Sequence, residues 1–210
     1  MNIAALRERI DSALQHEVAH PPLVADLAAR IDNLHRSIRL PAEDAPGALL
    51  RFVHAYIEKV PAQVEAAAEV ASAAGIDAQI KPVLRQAATF LLSPPPFMQE
   101  YQGLAAMLGE AYLAHRLVEE VNDRYIAHFG QPLIPLDTTV ANLVAHQLIG
   151  EPLANQLDAA VHQASDTLQD ERIFATESAD HYRAQLAEAA QDHAWPCLSR
   201  QLGIELQLAH

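Results

Sequence analysis

The placement of its prolines constrains this chain more than any other feature. A proline lacks the N–H that a helix interior uses and crowds the carbonyl four residues back, yet it fits a helix's first turn. The thirteen prolines therefore read as boundaries. Between them apolar residues recur every three or four positions, the spacing of one helix face.

Ile3, Leu6, Ile10 and Leu14 give residues 2–20 a helical stripe that Pro21-Pro22 ends. Leu23, Leu27, Ile31, Leu34 and Ile38 carry a second helix up to Pro41. A third opens near Pro46, with Leu49, Phe52, Val53, Tyr56 and Val60 on one stripe. Pro61 is placed to start an Ala-rich stretch that Gly75 caps. A shorter helix from Pro82 to Leu92 runs into the stiff connector Ser93-Pro94-Pro95-Pro96, and the longest spans Phe97 to Phe129, stopping at Gly130. Asp137 or Thr138 can cap a helix reaching Ile149, and Pro152 opens another carrying Leu153, Leu157, Val161 and Leu168. A final pair is marked by Thr176 or Ser178 as cap, by Tyr182, Leu186, Ala189 and Ala190, and by Pro196 before Leu198 and Leu202.

Ala and Leu dominate the apolar half of the residues, aromatics are 5% and glycines number seven, a balance that favours helices over sandwiches or barrels. The expected fold is all-α: a single-domain multi-helix bundle of about seven to nine helices over residues 1–210.

A net charge of -13 repels a phosphate backbone, so nucleic acid is not an expected partner. No apolar run reaches the roughly 20 residues that span a bilayer, and no membrane partner is expected. The start MNIAALRERIDS lacks a secretory pattern, and the single Cys197 cannot form an intrachain disulfide; a cytoplasmic location is expected.

HEVAH, residues 16–20, has the His-Glu-x-x-His form of a zinc hydrolase helix. His16 and His20 would ligate the metal and Glu17 would polarise its water. A third ligand at a recognisable spacing is missing, and too few residues precede His16 to build a substrate-holding sheet. His20 also stands before two prolines, which push it out of the helical region.

Residues 111–125, AYLAHRLVEEVNDRY, hold a second constellation. At about 100° per residue, His115 and Asn122 fall among Leu104, Leu108, Ala111 and Val118, where apolar side chains are expected. Glu119 and Tyr112 flank them. Arg116, Glu120 and Arg124 form an i, i+4 ladder on the opposite, solvated side. Asn142 and His146 on the next helix are spaced to meet His115 and Glu119 across an antiparallel interface.

Two outcomes follow. His115 and Glu119 hydrogen-bond each other, with Asn122 and Asn142 completing a buried network that fixes helix register. Alternatively Tyr112, His115, Glu119, Asn122, Asn142 and His146 line a ligand pocket, with His115, Glu119 and His146 as ligands of a divalent metal (Zn, Fe or Mn). The leading functional expectation is a binding or interaction protein that holds a protein partner or small molecule between helices or on its acidic surface. Self-association is also open to it. The alternative is a metal-binding bundle or metal-dependent enzyme, through that cluster or through His16 and His20.

Overall fold

The computed structural model describes residues 2–19, 22–130, 138–165, 198–201 and 204–206, with the single positions 177, 180, 181 and 184. Two helices, α1 (Ile3–Ala19) and α2 (Pro22–Arg30), open the chain, and a 3-10 turn and β1 (Ile38–Arg39) follow. Then come α3 (Ala45–Ala73), α4 (Asp77–Leu92), a second 3-10 turn at Pro96–Met98, and α5 (Gly103–Phe129). The order closes with α6 (Thr139–Ile149), α7 (Glu151–Ser165), the short α8 (Leu198–Gln201) and β2 (Glu205–Leu206). The fold is an all-α multi-helix bundle, and its described residues include seven helices of nine residues or more. Leu168, Asp137 and most of the final helical pair read from the sequence lie outside the described residues.

Local chemistry sets several of the helix ends. Asp44 takes the left-handed region (φ 55), which Asp tolerates, and its side chain accepts a bond from the Gly47 N–H at 3.1 Å to cap α3. At the far end, Ile76 N–H reaches the Ala71 carbonyl at 2.9 Å and Gly75 N–H reaches Ser72 at 3.1 Å. This is the six-to-one and five-to-two pairing of a Schellman cap, and it requires the φ of 70 that Gly75 supplies.

Four boundaries differ from the sequence reading, one of them at α4, which starts at Asp77 and carries Pro82 inside it. Helix α2 stops at Arg30 and does not continue to Ile38. His35 and Ser37 bond each other's side chains at 2.6 Å, a local alternative to helical bonds, and Ile38 pairs with Leu206 in the β1–β2 ladder. Arg30 is drawn elsewhere, donating to the Leu148 carbonyl at the end of α6 at 2.6 Å. Pro61 does not start a helix but lies buried inside α3, which runs on to Ala73. On the other side of the chain, α5 starts at Gly103 because Pro96–Met98 is held as a 3-10 turn.

Helix α5 is the central rod, packed against α1, α3, α4, α6 and α7. Every residue from Ala106 to His115 is buried, polar ones included. Gly109 lets the Met98 turn lie against this rod: a Cβ there would stand 2.7 Å from the Met98 methyl. Among the described residues no helix is long and apolar enough to cross a membrane.

Candidate functional site: the polar centre of the bundle

A rod wrapped on all sides places its polar residues in the interior, and each must find a partner there, since an orphaned group loses roughly 1–3 kcal/mol. His115 is 1% exposed. Its Nε2 lies 2.7 Å from the backbone carbonyl of Tyr56, and its Nδ1 faces Gln63 Oε1. A carbonyl can only accept, so Nε2 carries the proton. Burial holds the ring's pKa down to about 4, so the ring is neutral, and turning the Gln63 amide by 180° brings its NH2 to donate to Nδ1. With Oε1 left against Nδ1, the ring would need a second proton and would carry a buried charge.

This bond lies beside the interior proline of α3. Pro61 has no N–H for the Ile57 carbonyl, and His115 donates to the neighbouring carbonyl, that of Tyr56. The Tyr56 and His115 rings also pack with centroids 4.2 Å apart.

A second chain of bonds starts at the other end of Tyr56. Its hydroxyl donates to Asn142 Oδ1 at 2.6 Å, and Asn142 Nδ2 donates to Glu119 Oε2 at 2.6 Å. Arg116 Nη1 binds the same Glu119 oxygen, and Arg116 Nε reaches Asp158 Oδ1 at 3.4 Å. Tyr112 donates to Asp158 at 2.9 Å, and His146 Nε2 stands 3.7 Å from Asp158 Oδ2. Burial pushes the Tyr56 hydroxyl well above its usual range, with Tyr112 and Glu119 adding to it. Burial works against the Arg116 charge too, but Glu119, Tyr112 and Asp158 outweigh it, so the guanidinium stays protonated.

Several sequence expectations are corrected here. His115 and Glu119 do not bond each other, because each has a partner on another helix: Gln63 and Tyr56 on α3 for the first, Asn142 on α6 for the second. His146 faces Asp158 of α7 and Tyr112, whose ring centroid is 6.1 Å away, so His115, Glu119 and His146 are not joined as one ligand set. Arg116 is not on a solvated face but ties Glu119 to Asp158; Glu120 and Arg124 do pair, at 3.5 Å. Asn122 is half-buried on the same helix. Among the described residues, no group of three or more His, Cys, Asp or Glu side chains is arranged to hold a metal ion. Of the HEVAH stretch, α1 carries His16 and Glu17 in its last turns and ends at Ala19, while His20 and the side chains of His16 and Glu17 lie outside what the structure describes.

Tyr56, Gln63, Arg116 and Asp158 were missed by sequence reasoning. Gln63 did leave a signal: it stands one turn after Val60 and two after Tyr56 on a buried stripe, a place where an amide must be bonded. Comparison with known proteins adds no relative, for no family model, curated protein or solved structure matches the chain.

A further buried polar group lies apart from this centre. Glu110 has a side chain 3% exposed, and Arg9 of α1 grips both its oxygens, at 2.5 and 2.9 Å. Burial raises the Glu110 pKa and Arg9 pulls against it. Arg9 itself is 35% exposed and forms part of the wall of a cleft of about 670 Å³ between α1 and the start of α5. Glu8, Ser12, Gln102, Gly103 and Met107 complete most of that wall.

Proposed function

We propose that this chain is a binding protein, without chemistry of its own at the polar centre, that holds a small molecule in the cleft between α1 and α5. One observation carries the reading. The cleft opens beside the exposed part of the Arg9–Glu110 pair, so the Arg9 guanidinium, Ser12 and Gln102 lie together on one concave wall, with the Glu110 carboxylate enclosed behind Arg9. That combination is the usual physical mark of a ligand site. By contrast, the groups of the polar centre are occupied by one another. A general base or metal ligand needs a lone pair that a substrate or ion can reach, and both ring nitrogens of His115 are engaged inside the bundle.

The reading is tested by two-dimensional NMR of labelled protein against a panel of small carboxylates, amines and neutral amides. Shifts confined to the amides of α1 and the start of α5, saturable and lost on filling the cleft with Ser12→Trp, are the expected result. Saturable shifts centred on α6 and α7 would move the site to the polar centre and overturn the proposal.

A further inference from the structure

Building on the cleft reading, we infer that its ligand is a small monoanion, a carboxylate with a short apolar body, and that binding transfers Arg9 from Glu110 to the ligand while Glu110 takes up a proton from solvent.

Among the described residues Arg9 is the one cation on the cleft wall, and its two bonds to Glu110 occupy two of the guanidinium's five N–H groups. Ser12 and Gln102 add neutral donors, and Ala5, Ala13 and Met107 make up the apolar part of the wall. A guanidinium presents a planar fork matched to carboxylate geometry, which selects that class over amines and neutral molecules. Glu8 stands on the same wall but is exposed, where water and salt screen it.

Charge balance then dictates the proton. In the free protein Arg9 and Glu110 neutralise each other. A bound anion would leave two negative groups on one cation, with Glu110 still shut away from water, and burying that uncompensated charge is prohibitive. Protonating Glu110 restores neutrality, and the buried carboxyl already leans toward its neutral form. Among the described residues nothing else nearby supplies the compensation. Arg9 is the charged group that acts on Glu110. On the neighbouring helices, Lys81 and Arg85 of α4 are exposed, Glu65 of α3 pairs with Arg7 at 2.6 Å, and Asp158 of α7 is bound to Tyr112. The exchange is stoichiometric: one anion and one proton enter together, and no covalent bond changes.

Isothermal titration with butanesulfonate and butyrate, repeated in buffers of different ionisation enthalpy, tests the exchange; the sulfonate has no proton of its own near neutral pH. The expected result is uptake of about one proton per ligand and an affinity that rises about tenfold per pH unit as pH falls. In Glu110→Gln, a neutral stand-in for the protonated acid, binding should persist with no pH dependence, and Arg9→Met should abolish it. Anion binding without proton uptake, or a wild-type pH slope in Glu110→Gln, overturns the inference and leaves the cleft reading standing. Butylamine or a neutral amide binding in the cleft while both anions fail overturns the inference in the same way. No saturable binding by any of these probes removes both.

Discussion

Replacing His115 with glutamine should flatten the acid side of the stability curve. In the folded chain the ring is 1% exposed and its pKa is held down to about 4, against 6.5 for a free imidazole. Below pH 6.5 the unfolded chain therefore binds a proton that the folded chain refuses. Stability is complete above 6.5 and declines as pH falls towards 4, because protons favour the unfolded state throughout that window. Two and a half pH units at about 1.36 kcal/mol each, less the half-protonation reached at the lower limit, give a loss of about 3 kcal/mol. A domain with roughly 5–15 kcal/mol in hand feels that strongly. Glutamine does not titrate, and its NH2 can still donate to the Tyr56 carbonyl. The variant should lose about 1–2 kcal/mol near neutral pH but show a shallower decline on acidification, so the two curves converge. Urea unfolding followed by circular dichroism in steps from neutral to about pH 4 reads the difference. Because the other histidines are common to both proteins, they cancel. Parallel curves across the window would mean that His115 protonates as readily inside as outside, and the neutral, doubly bonded ring described above would be wrong.

Three further outcomes are expected. Tyr56→Phe and Asn142→Ala should each destabilise by about 1–3 kcal/mol, and the double variant by clearly less than their sum; strict additivity in that cycle would argue against a working Tyr56–Asn142 bond. Gly130→Ala should lower stability by about 1 kcal/mol although nothing crowds the site, since its φ of 70 is the cause, and an unchanged Tm would count against a strained helix end there. Zinc, iron or manganese added to His16→Ala should leave its Tm unmoved, whereas a rise that disappears with Glu119→Gln would restore a metal role to the polar centre.

How far the fold was legible depends on range. Apolar spacing and proline placement are local properties, and they located most helices and put His115 and Asn142 inside, because a polar residue on an apolar stripe stands out on a wheel. Partners are not local. Gln63 and Tyr56 come from α3, and nothing on α5 announces them. Arg116 was assigned to water because a wheel with one buried face assumes one neighbour, while α5 is enclosed by several helices and has little solvated side along its middle. Pro61 looked like a helix start for a similar reason: it is buried in the core, and tertiary packing carries α3 through it. The Arg9–Glu110 pair was invisible because a carboxylate inside a bundle is intelligible only once its cation is known.

The small ladder of β1 and β2 has a kinetic consequence. Ile38 and Leu206 are joined across most of the chain's length, with Ile204 sunk in the core beside them. A clasp between such distant positions pays its loop-closure entropy in one step and closes only when the late partner exists. During synthesis the segment between α2 and α3 must therefore wait, uncovered, until residues 204–206 have left the ribosome. A chain stalled short of them would offer a protease that segment first, well before it offered any part of the central rod.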